Sequence, residues 1–188
     1  MEKDPIRDLL TFGALCYERG LVTGTGGNLS SRSPAGMCIT RSGVSLRAMK
    51  AADILEVDMT GRLLRPGPFR PSIETGFHSV IYRLRPEAGA VFHSHATYCT
   101  CWALEGKALP LVTSVSRMLL GSVPLAAAAE PGSPALAENV RRALEAAPEA
   151  NGLLLAGHGA VAWGADMEEA FYNAELMEQT AQIAWLTR

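Results

Sequence analysis

Two apolar stretches of strand length, "AGAVFHSHA" (residues 88–96) and "NGLLLAGHGAVAWG" (residues 151–164), most restrict what this chain can fold into. Short apolar runs bounded by glycine predict buried strands, the second being a strand pair broken at Gly-His-Gly. Helical segments supply the cover such strands need. "DPIRDLLTFGALCYERG" carries Asp4 as N-cap, Pro5 at the first helical position and Gly20 as a stop. "SIETGFHSVIYRLRP" predicts a helix stopping before Pro86, and "YCTCWALEG" a shorter one. Ser133 caps "SPALAENVRRALEAA", and Asp166 with Glu169 forms a capping box at the head of "DMEEAFYNAELMEQTAQIAWLTR". "NLSSRS", "GMCITRSG", "ILEVDMTGRLL" and "LPLVTSV" add short strands. The expectation is an α/β fold, with a central, mostly antiparallel sheet flanked by helices, in a single domain of residues 1–188.

With 188 residues, 48% of them hydrophobic, the chain can bury a substantial core. A formal net charge of −2 with no Lys/Arg block argues against nucleic acid or acidic membranes as partners. No apolar run is long enough to span a bilayer, and "MEKDPIRDLL" lacks a secretory pattern. Cys16, Cys38, Cys99 and Cys101 form no C-x-x-C pair and read as reduced thiols, so a cytoplasmic setting is expected.

Two of the four histidines stand one residue apart in "VFHSH". Residues i and i+2 of a strand project from one face, so His93 and His95 point together, as zinc or another divalent transition metal requires. Core packing or plain hydrogen bonding accounts for such a pair equally well when it is taken alone. His158 lies between glycines that leave room for a ligand, although a glycine-rich turn carrying a histidine is the simpler account of that stretch. Glu74 falls in the first turn of a helix, where the dipole alone favours negative charge, yet three histidines and one carboxylate also make a divalent site with an open position. His78, one turn on, reads as a packed or supporting histidine. A metal-dependent amidohydrolase barrel needs a longer chain, and a cupin-like barrel does not accommodate this many helices.

"TGTGGNLSSR" (residues 23–32), "TRSGV" (residues 40–44) and Pro71-Ser72 are small-residue segments able to present backbone N–H groups to an anion. None matches a Walker A loop or a dinucleotide fingerprint. A phosphate held beside a metal points to a small phosphorylated sugar or polyol.

In order and spacing, "GTGGNLSSR", "ITRSG", "PSIETGFHSVIY", "RPEAGAVFHSHATY", "GSPALAENV" and "LLLAGHGAVAWGADMEEAFYNAELMEQTAQI" resemble the class II aldolase/adducin family, and within it the L-fuculose-phosphate aldolase group. The likeness runs from about Leu9 to Leu186. It implies zinc ligation by His93, His95 and His158, with Glu74 as catalytic acid/base able to touch the metal. It also implies phosphate binding by Gly27, Asn28, Ser42, Gly43 and Ser72, and a homotetramer with sites at subunit interfaces. The implied reaction is retro-aldol cleavage of a sugar phosphate through a metal-stabilised enediolate. Dehydration of methylthioribulose phosphate, decarboxylation of sugar-acid phosphates and epimerisation of pentulose phosphates are related possibilities, as is a non-catalytic adducin-like scaffold. Three features depart from the fuculose pattern: Ile73 replaces a phosphate-binding serine, assisting tyrosines are missing, and the chain lacks the usual tail after Arg188.

Overall fold

The computed structural model describes residues 4–188; residues 1–3, which open the stretch lacking a secretory pattern, lie outside the described residues. Among the described residues the strands are β1 (Asn28–Ser33), β2 (Gly36–Thr40), β3 (Ile54–Val57), β4 (Ala90–Ser94), β5 (Leu125–Ala126), β6 (Gly152–Leu155) and β7 (Gly159–Gly164). They form one sheet in the order β3-β2-β1-β4-β7-β6-β5, antiparallel throughout except where β5 joins β6. The helices are α1 (Pro5–Glu18), α2 (Thr75–Leu84), α3 (Thr97–Leu104), α4 (Ser114–Leu120), α5 (Pro134–Ala146) and α6 (Met167–Leu186).

Strand alternation sorts the core into two layers. Ala90 and Phe92 of β4, with Ala160 and Ala162 of β7, pack against Leu9 of α1, Trp102 of α3 and Phe171 of α6. Val91, Val161 and Trp163 face the opposite way, toward Phe77 and Ile81 of α2 and Val140 and Leu144 of α5. Runs apolar on both faces are typical of parallel sheets; here an antiparallel sheet carries them because helices cover both sides. Each fully buried Val, Leu or Phe contributes roughly 1.5–3 kcal/mol.

Helix ends follow the caps. The Asp4 side chain accepts from the N–H groups of Ile6 and Arg7, Ser133 accepts from Leu136, and Asp166 accepts from Glu169. Gly20, just past the α1 C-cap, has φ +71°, the left-handed conformation a helix stop needs. The Glu169 carboxylate takes the N–H of Ala165, one residue further back than a capping box places it.

Three expected elements differ. "LPLVTSV" is not a strand: Thr113 caps α4 by accepting from Ser116 N–H, with the Ser116 hydroxyl reaching back to Thr113 N–H. "ILEVDMTGRLL" is a strand only over Ile54–Val57, because the Asp58 carboxylate gathers the N–H groups of Thr60 and Arg62 into a turn that folds Leu63 back to bridge Val57. The helix expected from Ser72 starts at Thr75, leaving Glu74 at the N-cap. Among the described residues no helix is long and apolar enough to cross a membrane.

Candidate metal centre and active site

His93 lies within β4, facing Val161 of β7 across one ladder and Asn28 of β1 across the other. His95 follows one residue past the strand end, and His158 sits in the turn joining β6 to β7. Antiparallel pairing of β4 with β7 brings the end of one strand to the start of the other, so segments some 65 residues apart share one sheet end. The ring centroids are 4.9 Å apart for His93 and His95, 4.7 Å for His93 and His158, and 5.1 Å for His95 and His158. One ligand nitrogen from each ring lies within 4.8 Å of the other two.

Glycine permits this approach. A Cβ on Gly26 would lie 2.8 Å from His95 Nδ1, and one on Gly159 would collide with the Ser94 carbonyl oxygen and stand 3.0 Å from His95 Cδ2. Gly159→Ala is therefore expected to push β4 and the His95 ring outward, costing about 1–3 kcal/mol of stability and weakening divalent-metal binding. Thermal melts and a zinc titration check this. An unchanged metal affinity would mean that Gly159 does not govern the position of His95.

Glu74 turns its carboxylate away from the cap and into the histidine cluster. Oε2 accepts from Asn28 Nδ2 at 2.7 Å and lies 3.2 Å from His93 Nε2. Oε1 is buried without a hydrogen-bond partner among the described residues, 3.4 Å from His158 Nε2. Burial pushes the Glu74 carboxyl above the usual carboxylate range, while the Asn28 amide and His158 pull the other way.

The proton inventory favours a cation. His93 Nδ1 lies 2.9 Å from the Ala160 carbonyl oxygen, which only an N–H can satisfy, so Nε2 of the neutral ring presents a bare lone pair. Burial, then the neighbouring His158 and His95, hold His93 well below the usual histidine range. Burial lowers His95 and His158 as well, with Glu74 partly offsetting the effect at His158. Three neutral imidazoles and a carboxylate with an unpaired buried oxygen form a donor set rich in lone pairs and poor in protons. That set fits a divalent transition metal, and the carbonyl behind His93 is the support such ligands use.

Above the cluster lies a cleft of about 420 Å³ lined by Gly27, Asn28, Ser42, Gly43, Ser72, Glu74, His95 and His158. His93 is fully buried, its ring packed against those of His95 and His158. All the site residues expected from the sequence thus gather in one place, but their polar groups are not equally available. The N–H groups of Ser42 and Ser72 are bonded to Arg70 and Thr40 carbonyls, and the Ser72 hydroxyl accepts from Glu74 N–H. The Asn28 amide is committed to Glu74 and His78. His78 is a buried supporting histidine.

Arg41 is the lining residue that sequence reading passed over, although it stands inside the quoted "TRSGV". Asp53 holds its Nε at 2.5 Å, and the Phe69 ring lies 4.7 Å from its guanidinium. That bond to Arg41, joined by the Lys50 N–H, keeps the Asp53 carboxyl below its usual range. With Nε on Asp53 and Nη1 donating to the Ser42 carbonyl oxygen at 3.3 Å, the guanidinium is braced as a fixed positive charge lining the cleft.

His78 links the site to acid stability. Burial lowers its pKa from 6.5 to about 3. Between those values the unfolded chain binds one more proton than the folded chain. The stability of the neutral ring is therefore complete above the unfolded value and lost as pH falls, by about 1.4 kcal/mol per pH unit. Urea unfolding of metal-free protein across the acid range should show a shallower slope for His78→Gln than for wild type. Equal slopes would exclude His78 as the source.

Residues 7–185 match the family described as Class II Aldolase and Adducin N-terminal domain. The chain belongs to the class II aldolase and adducin family. Within it, the chain is similar to the solved structure of an L-fuculose 1-phosphate aldolase, at 32% identity and a TM-score of 0.90 over 100% of this chain and 87% of that one. It is also similar to YgbL from Escherichia coli, described as a putative aldolase/epimerase/decarboxylase, at 30% identity and a TM-score of 0.87 over 97% of this chain and 89% of that one. The L-fuculose-1-phosphate aldolase of Thermus thermophilus matches at 29% identity and a TM-score of 0.85, over 97% and 93%. The α/β architecture, with its seven-stranded, mostly antiparallel sheet, is that of these class II aldolase relatives.

Proposed function

We propose that this chain is a zinc-dependent lyase cleaving a small ketose phosphate by retro-aldol chemistry, as one catalytic domain. One observation carries the reading: the nitrogens of His93, His95 and His158 converge within 4.8 Å, with the Glu74 carboxylate against two of the rings. Those three histidines would hold the metal, with Glu74 beside it. A divalent cation there supplies Lewis acidity toward a substrate carbonyl.

The protein's own groups do the rest. As the C3–C4 bond breaks, the C4 hydroxyl passes its proton to the Glu74 carboxylate and becomes the aldehyde, and the bonding electron pair stays on the ketone fragment. Glu74, largely withdrawn from water, is placed to deliver a proton to C3, and in the reverse direction to remove it. Gly27, Asn28, Ser42, Gly43 and Ser72 line the place proposed for the phosphate and Arg41 adds charge, the Asn28 amide being already occupied by Glu74 and His78. The reading includes a homotetramer with interfacial sites, for which the exposed Val115, Met118 and Leu119 of α4 offer apolar surface. A cytoplasmic setting suits the four free cysteines.

Ile73 is 62% exposed at the rim of the cleft. Ile73→Ser is expected to lower KM for a phosphorylated substrate severalfold, by about 1 kcal/mol for one added hydrogen bond. An unchanged KM counts against phosphate at that position.

Decarboxylation or epimerisation of a phosphorylated sugar is the second reading, favoured by the similarity to YgbL. Metal analysis of the purified protein, followed by a screen of phosphorylated ketoses and sugar acids, tests both readings. Aldehyde and dihydroxyacetone phosphate should appear together; carbon dioxide, water loss or an isomeric ketose instead would favour the related lyases or an epimerase. A protein that takes up no divalent metal would be left with the scaffold role.

A further inference from the structure

A buried line of hydrogen bonds leads from Glu74 into the core, away from the cleft. Asn28 Nδ2 donates to Glu74 Oε2 at 2.7 Å, and Asn28 Oδ1 lies 2.6 Å from His78 Nε2. His78 Nδ1 is 2.7 Å from Ser30 Oγ, which is 2.9 Å from the Tyr82 hydroxyl. Ser30 and His78 are fully buried, and Tyr82, Glu74 and Asn28 nearly so.

The line is a zigzag between two elements of matched repeat. Glu74, His78 and Tyr82 stand four residues apart on the N-cap and body of α2, and Asn28 and Ser30 two apart on one face of β1. Four helical residues rise about 6 Å and two strand residues about 6.6 Å, so each helix member meets the next strand member in step. An apolar face would join helix to strand equally well. Buried polar side chains are costly unless paired; Asn28, His78, Ser30 and Tyr82 find partners in the line, which ends on Oε2 of the Glu74 carboxylate at the cleft.

With Glu74 ionised, the proton direction has a single solution. The carboxylate can only accept, so the Asn28 NH₂ group faces it and the Asn28 oxygen faces His78. His78 therefore carries its proton on Nε2, and its bare Nδ1 accepts from the Ser30 hydroxyl. The Ser30 oxygen then accepts from the Tyr82 O–H.

We propose that His78, with Ser30 and Tyr82 behind it, is a positioning residue that locks the Asn28 amide in the orientation donating to Glu74, and so fixes the carboxylate for proton transfer. The inference rests on the acid/base role proposed for Glu74.

His78→Gln and His78→Leu test it in the zinc-loaded protein. A glutamine amide can present one donor and one acceptor in the same order as the ring, whereas leucine presents neither. His78→Leu is expected to lower kcat at least ~10-fold with KM and zinc content unchanged, and His78→Gln to recover to within ~3-fold of wild type. A folded His78→Leu protein with wild-type kcat, or a folded His78→Gln protein as slow as His78→Leu, overturns the proposal. Should leucine prevent folding, the glutamine variant and a substrate-free measurement decide. In histidine-labelled wild-type protein, ¹⁵N spectra should show His78 neutral with its proton on Nε2; a proton on Nδ1 overturns the lock. Absence of turnover on every sugar phosphate would instead sink the lyase reading, while the ring spectrum still reports on the lock.

Discussion

Glu74→Gln is expected to retain its divalent metal and to lose roughly 10²–10⁴ in kcat, the range that one positioned acid/base group supplies. Glutamine matches glutamate in shape and keeps an oxygen toward Asn28 Nδ2, so the buried contact at 2.7 Å survives. The three imidazoles that converge within 4.8 Å are untouched. What disappears is the ability to take and return a proton. The measurement is bound zinc per chain together with kcat and KM. A variant at wild-type rate would remove Glu74 from the chemistry, and one that loses its zinc would make it a required ligand.

His95→Ala should release the metal and abolish turnover. His95 lies beyond the end of β4 and borders the cleft, so truncating it opens space to solvent instead of leaving a sealed cavity in the core. The fold is expected to persist, because His93 and the apolar residues of β4 still pack. Melting with and without zinc separates metal loss from unfolding. A metal at 100 times its Kd stabilises a folded protein by about 2.7 kcal/mol, so zinc should raise the melting temperature of wild type and leave that of the variant almost unchanged. Normal zinc content and turnover in the variant would show the ligand assignment to be wrong.

Much of this architecture was legible because local rules and the tertiary structure agree. Asp4, Ser133 and Asp166 cap the helices they were expected to cap, since each cap is an interaction over two or three residues. "AGAVFHSHA" and "LLLAGHGAVAWG" form β4, β6 and β7, because continuous apolarity requires burial on both faces. Local rules failed where the signal was short or ambiguous. β5 has two residues, too few for any period, and the apolar residues of "LPLVTSV" concealed the Thr113 cap.

The site divides along the same line. The i, i+2 spacing of His93 and His95 already dictated a shared direction, and glycines around His158 announced a close approach. Arg41 was missed because its significance depends on Asp53 and Phe69, which hold it toward the cleft and lie 12 and 28 residues further along the chain.

The sequence by itself determined the α/β plan of a mostly antiparallel sheet between helices and the i, i+2 spacing that turns His93 and His95 the same way, because periodicity and capping act within a few residues. Only the tertiary structure decided that His158 meets His93 and His95, that Glu74 leaves its cap to face them, and that the Asn28 amide serves Glu74 and His78. Those outcomes depend on which strand ends adjoin and which buried polar groups find partners, and strand pairing between distant segments is not encoded in any local stretch.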